Sequence, residues 1–331
     1  MTMTSEVSII IPCYNEEKYI GKCLDSLIQN DYPKDKIEVL VVDGMSEDRT
    51  RTIVKGWAEK YAFVKLYDNP KKIVPAAMNM GIQNARGEII IRMDAHNTYE
   101  KSYISKCVRY LQEYEVDNVG GVWVTRPGDN TVVAKSIALA LSHPFGVGNA
   151  HFRIGLREPK EVDTVPFGCY RRKIFEKIGL FNEHLVRNQD IEFNLRLKKN
   201  GGKILLVPDI QSDYHARSTL KALARNNFWN GFWVIYSLKF AKLPFSKRHL
   251  IPLIFTLSLV ISSLLAIVNH HFFYVFIFIL GIYGVANIFV SAKLSLKNSL
   301  KYFQALMASF SVLHISYGLG SIWGSLKMIV R

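Results

Sequence analysis

Two apolar runs constrain this chain more than anything else in it. Ile251–Val268 and Phe272–Val290 carry no charged residue, and each is long enough to cross roughly 30 Å of hydrocarbon. Only Asn269-His270-His271 separates them, so they read as a tight helical hairpin across a membrane. A third apolar stretch, Phe303 to Leu326, is interrupted by Gln304 and His314 and reads as a further span. Its Gly318, Gly320 and Gly324 allow packing against the other two. Lys242, Lys247 and Arg248 flank the first span, and Lys293, Lys297 and Lys301 fill the second loop. The Asn269–His271 loop has no Lys or Arg, so the positive-inside bias puts everything before the first span in the cytosol. If all three runs cross, the carboxyl terminus lies outside.

The remainder has a different composition. Before about residue 245 the 331-residue chain alternates polar and apolar residues in the manner of a soluble domain. A formal charge of +14 suits nucleic acid or an anionic membrane surface. No basic run reaches five residues and no nucleic-acid motif occurs, which favours the membrane. Cys13, Cys23, Cys107 and Cys169 lack metal or redox spacing and read as buried thiols. Met1 to Glu6 is polar and no signal peptide is read there.

Along that part, apolar runs and helical periodicity alternate. Strands are expected at Val7–Pro12, Ile37–Val42, Phe63–Tyr67 and Glu88–Met93, with helices between them, the pattern of a parallel sheet with right-handed crossovers. Tyr103–Tyr114, Thr131–Leu141, a short run to Ile178 and the segment with Ile191, Leu195 and Leu197 read as helices. Val119–Thr125 and Lys203–Val207 read as strands, the latter at an edge before Pro208. His143–Asp163 lacks periodicity and is a candidate mobile loop over a site. Thr219–Lys242 interleaves Phe228, Trp229, Phe232 and Trp233 with Lys221, Arg225 and Lys239; it reads as interfacial helices or as a core helix of the soluble domain.

Acidic residues collect where parallel strands end, the place where open α/β sheets bind ligands. The fourth strand runs into Asp94-Ala95-His96, and strand alternation would point Asp94 and His96 the same way. A carboxylate beside an imidazole suits a divalent cation. Neither Gly-x-Gly-x-x-Gly nor Gly-Lys-Ser/Thr follows the first strand, which disfavours dinucleotide and P-loop readings.

Five pieces in order resemble the inverting glycosyltransferases of family 2, whose domain is the nucleotide-sugar-binding GT-A fold. They are Pro12-Cys13-Tyr14-Asn15-Glu16-Glu17, Val42-Asp43-Gly44-x-Ser46, Asn79-x-Gly81, Gly87-Glu88 with Asp94-Ala95-His96 in the place of Asp-x-Asp, and Asn188-Gln189-Asp190-x-Glu192. The resemblance covers about Val7 to Arg225. With the apolar tail, the Asp-Ala-His variant is similar to the membrane-anchored branch that builds bacterial exopolysaccharide repeat units.

The resemblance implies roles for particular residues. Asp94 would bind a metal, Mn²⁺ or Mg²⁺, with His96 as second ligand or bonded to a metal-bound water. Pro12, Tyr14 and Glu16 would line the nucleoside pocket, Asp43 would accept the uracil N–H, and Asn79 would lie nearby. Asp43 alone reads equally as a helix cap. Asp190 would be the general base, with Gln189 where many relatives carry an acid; alone, Asp190 also reads as a cap. Phe167, Gly168, Arg171 and Arg172 would border acceptor and diphosphate, though the arginine pair reads equally as solvated surface. Arg225–Gly231 departs from the Gln-x-x-Arg-Trp of processive members, which implies transfer of one sugar.

The expected architecture is α/β: a GT-A domain with a mostly parallel central sheet over 1–217, interfacial amphipathic helices over 218–249 and a transmembrane region over 250–331. The expected function is transfer of one sugar from a nucleotide sugar, UDP-linked, to a lipid-linked saccharide at the cytoplasmic face of the cell membrane, in surface or exopolysaccharide synthesis. The partners so implied are the nucleotide sugar, a polyprenyl-linked acceptor and membrane lipid, and no nucleic acid. Direct transfer to polyprenyl phosphate and a non-catalytic nucleotide-sugar-binding scaffold are the alternatives; the presence of both Asp94 and Asp190 speaks against the scaffold.

Overall fold

The structure is a computed structural model and describes residues 6–241 and 246–329; Lys242, counted above among the basic flanks, lies outside the described residues. The first elements are β1 (Val7–Cys13), α1 (Ile20–Ile28), β2 (Ile37–Asp43), α2 (Thr50–Lys60), β3 (Val64–Asp68), α3 (Val74–Asn84) and β4 (Ile89–Arg92). There follow α4 (Tyr103–Glu113), β5 (Asn118–Arg126), α5 (Val132–Leu141), α6 (Pro144–Val147), α7 (His151–Ile154), β6 (Lys160–Glu161), β7 (Cys169–Arg171), α8 (Lys173–Ile178), α9 (Gln189–Lys199) and β8 (Ile204–His215). The carboxyl-terminal helices are α10 (Leu220–Tyr236), α11 (Leu238–Ala241), α12 (Leu250–Val268), α13 (His271–Asn298) and α14 (Phe303–Ile329).

The chain divides into two compact units, Met1–Val124 with Gly155–Asp213, and Thr125–Ile154 with Tyr214–Arg331. In the first, the sheet order is β3-β2-β1-β4-β7-β5-β8-β6. Strands β3, β2, β1 and β4 are parallel, with Val7 opposite both Ile37 and Ile89. Helices cover both faces of this block, which is why its strands are unbroken apolar runs. Ile9, Ile11, Val39, Val41 and Ile91 enter one core with Leu24 and Leu27 of α1 and Ile104 and Leu111 of α4. On the other face α3 comes so near β1 that a Cβ at Gly81 would run into Ile10. Beyond β4 the sheet turns antiparallel, because β7 inserts between β4 and β5.

β8 differs from the expected edge strand. It continues through Pro208 to His215 and lies inside the sheet order. Its neighbour β6 is two residues long and pairs with Leu205 and Leu206, so Pro208 lies beyond the end of that ladder.

In the second unit, Leu250–Val268, His271–Asn298 and Leu300–Ile329 are long and apolar enough to cross a membrane. Residues 125–154, expected inside the α/β domain, group with these helices. Ile137, Ala140 and Leu141 of α5 are buried with Leu306, Phe310 and Leu313 of α14. The expected mobile loop at 143–163 contains α6, α7 and β6. Phe145 in α6 stacks on Tyr283, and its carbonyl accepts a hydrogen bond from His314 Nε2 at 2.7 Å. The glycines of α14 serve two partners: Gly318 faces Pro252 and Thr256 of α12, whereas Gly320 and Gly324 abut the carbonyls of Phe228 and Phe232 in α10. A Cβ at Gly320 would overlap the Phe228 carbonyl, so α10 and α14 approach at backbone distance.

Candidate active site

Parallel strands deliver their carboxyl ends to one edge, and in this chain each end opens into a polar turn. After β1, Asn15 takes a left-handed conformation (φ 54°) that folds the 14–17 elbow across the turn after β2. Asn15 N–H donates to Ser46 Oγ at 2.8 Å, Glu16 N–H to Thr50 Oγ1 at 2.7 Å and Glu17 N–H to Asp48 Oδ2 at 3.1 Å. The Asn15 side chain returns the bond, accepting from Glu47 N–H at 2.9 Å. A cavity of about 190 Å³ opens beside this elbow, lined by Pro12, Tyr14, Glu16, Asn69, Lys72, Arg92, Asp94 and His96 among others.

β4 stops at Arg92, so Asp94 and His96 leave from a turn and not from strand alternation. Asn97 N–H closes that turn on the Asp94 carbonyl at 3.2 Å, and Asp94 N–H donates to the Tyr99 hydroxyl at 2.7 Å. Ala95 is buried beneath, and both flanking side chains face the same cavity. Asp94 Oδ1 accepts from Arg92 Nε at 3.1 Å and pairs with Nη2 at 3.0 Å. Burial disfavours the Arg92 charge, yet the carboxylates of Asp94 and Asp190 outweigh it and raise the guanidinium pKa. Asp190 itself is not among the residues that line the cavity. His96 Nδ1 lies 3.1 Å from Glu16 Oε1; this hydrogen bond, opposed by desolvation and helped by the Asp94 charge, raises the imidazole pKa.

Asp190 sits in the first turn of α9, entered through Asn188 in a left-handed conformation (φ 59°). The helix is fixed from behind. Buried Asn194 donates to Thr164 Oγ1 at 2.8 Å and accepts from Asn118 Nδ2 at 2.9 Å. Arg196 pairs with Glu192 at 2.9 Å, as their spacing of four allows, and donates to the Leu180 carbonyl at 2.8 Å.

Several expected site residues stand elsewhere. Asp43 is fully buried outside the cavity lining: its carboxylate accepts from Arg51 Nη1 at 2.8 Å, Ser46 N–H at 2.9 Å and the Ser46 hydroxyl. As the last residue of β2 it organises the turn beneath the cavity. Asn79 is also buried outside the lining. It donates to the Phe181 carbonyl and to Glu183 Oε1, both at 2.9 Å, and accepts from Phe181 N–H at 2.8 Å. It thus clamps the loop that leads to Asp190. Phe167 and Gly168 lie at the site end of β4, where Arg92 N–H donates to the Gly168 carbonyl at 3.1 Å. Arg171 and Arg172 do not. β7 runs antiparallel and carries them to the opposite end, where Arg171 is opposite Ile89 and Arg172 N–H bonds the Glu88 carbonyl. The Arg171 guanidinium is taken by the carbonyls of Leu111 (2.7 Å) and Val116 (3.0 Å).

The sequence matches Glycosyl transferase family 2 over residues 8–179. The chain belongs to that family. A relative in Methanococcus voltae, dolichyl N-acetyl-alpha-D-glucosaminyl phosphate 3-beta-D-2,3-diacetamido-2,3-dideoxy-beta-D-glucuronosyltransferase, is 33% identical over 78% of this chain and 82% of its own length. Succinoglycan biosynthesis protein ExoA of Rhizobium meliloti (strain 1021) is 27% identical over 97% of this chain and 94% of its own length. Among solved structures, mannosyltransferase PcManGT from Pyrobaculum calidifontis, in complex with GDP-Man and Mn²⁺, matches with a TM-score of 0.62 at 20% identity, covering 97% of this chain and 88% of that one. That likeness is one of fold, and the fold is of GT-A type.

Within this family 2 transferase, no group of three or more His, Cys, Asp or Glu side chains converges as a metal cage among the described residues. Asp94 and His96 still present two donors to one cavity. Two protein ligands fit a cation that takes its other ligands from substrate phosphates and water. Arg92, Lys72 and Asn69 escaped the sequence reading. Arg92 left a signal, a lone charge closing the apolar run of β4; Lys72 (φ 56°, its ammonium 5.7 Å from the Tyr14 ring centroid) left none. Buried Asn69 donates to the Ile73 carbonyl at 3.0 Å.

Proposed function

We propose that this glycosyltransferase inverts: it moves one sugar from a nucleotide sugar, UDP-linked, to a lipid-linked saccharide at the cytoplasmic membrane face, in surface or exopolysaccharide assembly. One observation carries the reading. Asp94, His96 and Glu16 border a single cavity at the strand ends, with Arg92 paired to Asp94 among them.

In this reading Tyr14 and Pro12 hold the nucleoside, Asp43 and Asn79 shape the floor and the loop around it, and Lys72 and Arg92 face the diphosphate. Held by Asp94 and His96, Mn²⁺ or Mg²⁺ would supply positive charge to the leaving diphosphate. Asp190 takes the proton from the acceptor hydroxyl as its oxygen attacks the anomeric carbon. Phe167 and Gly168 border the acceptor. The names of the Methanococcus and Rhizobium relatives support a lipid-linked acceptor and exopolysaccharide synthesis. The hairpin α12–α13 would cross the bilayer, with α5 and α10 at its surface, so the membrane-associated part takes in 125–154 as well as 218–331.

Purified full-length protein, incubated with a panel of nucleotide sugars and lipid-linked acceptors, is assayed for released nucleoside diphosphate. Asp190→Asn is expected to lower kcat by about 10²–10⁴-fold, the range for a general base, with donor affinity unchanged. Unchanged turnover in that variant removes Asp190 from the base role.

A further inference from the structure

Glu16 has a task that lining a nucleoside pocket does not explain. β1 and β4 are adjacent parallel strands with Ile10 opposite Arg92, so the turns that follow them meet side by side. The Glu16 carboxylate, one-fifth exposed, reaches across to His96 Nδ1 at 3.1 Å. Its backbone does not wander: Glu16 N–H is held by Thr50 Oγ1, and the Glu16 carbonyl accepts from both Tyr19 and Ile20 N–H at 2.9 Å. A carboxylate has only lone pairs to offer, so Nδ1 carries the proton, and in the neutral ring Nε2 keeps the free lone pair. Imidazoles that bind metals are commonly fixed in this way, with a carboxylate on the other nitrogen.

We propose that Glu16 is a positioning residue that holds His96 as the Nδ1–H tautomer and so presents Nε2 to a divalent cation on the donor diphosphate. The inference rests on reading the cavity as the donor site. Glu16 is not a ligand in this scheme; it acts only through His96.

The test uses the full chain in detergent, with Mn²⁺ as spin probe and UDP as nucleotide. Glu16→Ala is expected to weaken Mn²⁺ binding to the UDP complex by about 10–100-fold, the usual effect of losing such a partner. Glu16→Gln is expected to restore most of that loss, because its amide oxygen still accepts from Nδ1. Nitrogen modulation from a bound imidazole appears in the wild-type Mn²⁺ echo spectrum and vanishes in His96→Ala. In that background Glu16→Ala should cost nothing more. Equal losses with and without His96, or a Gln variant as weak as the Ala variant, overturn the proposal, since Glu16 would then act directly on cation or nucleotide. Wild-type Mn²⁺ binding without nitrogen modulation also overturns it while leaving the donor cavity intact. Failure of UDP itself to bind defeats the functional reading as well.

Discussion

Glu38 occupies a place where a carboxylate is costly, inside β2 with 5% of its surface exposed. It is retained by donors: Ser8 Oγ at 2.7 Å, Arg86 N–H at 2.6 Å and Lys65 Nζ at 3.3 Å. Burial pushes its carboxyl pKa up, but these hydrogen bonds prevail and the net direction is down. A depressed folded-state pKa contributes stability above the ordinary carboxylate value of about 4.3 and loses it as pH falls through the folded value. Glu38→Gln is therefore expected to cost about 1–3 kcal/mol at pH 7, and the gap from wild type should close on acidification. Denaturant midpoints at pH 7 and pH 3.5 check this; a gap independent of pH contradicts it. At this scale the family resemblance brings Pro12, Tyr14, Glu16, Asp94 and His96 together, and all five line one cavity at strand ends that apolar runs mark in the sequence. It did not show that Ser46 and Arg51 hold Asp43, nor that the sense of β7 carries Arg171 and Arg172 to the other end of the sheet.

Elements follow the same division. The strands and helices through α4 announce themselves by periodicity, since parallel βαβ units are local. The antiparallel insertion of β7 is not local: nothing within Cys169–Arg171 says that it separates β4 from β5. Helix α10 was legible as apolar and aromatic, but its partner was not. Its seat against α14 depends on glycines some ninety positions away in the chain. Replacing Gly320 with Val places a side chain against the Phe228 carbonyl, and overpacking of this kind costs about 1–3 kcal/mol. Gly281→Val in α13, where a Cβ meets nothing within 4 Å, serves as the control. Unfolding midpoints in detergent should drop for the first and hold for the second; equal shifts would mean that the α10–α14 approach is not tight.

At the scale of the whole chain, charge is unevenly dealt. All 28 acidic residues precede Tyr214, so the residues from there to Arg331 carry lysine and arginine without a single carboxylate side chain. In the proposed topology the lysines and arginines that flank the apolar spans stay on the cytoplasmic side and the Asn269–His271 turn lies outside. Asn269→Cys should accordingly react with an impermeant maleimide added outside intact cells, against a low background, because Cys13, Cys23, Cys107 and Cys169 are all buried. Labelling only after the cells are opened would invert the topology. The division into units was hidden from the sequence for a simple reason: Thr131–Leu141 reads only as a helix, and nothing in it names α14 as its covering. That arrangement means the polypeptide passes between the two bodies three times, near residues 124, 155 and 213. Cutting the gene at the apparent end of the α/β part would not liberate a water-soluble enzyme. It would strip the cover from Ile137 and Leu141 and leave a sticky apolar strip in mid-chain.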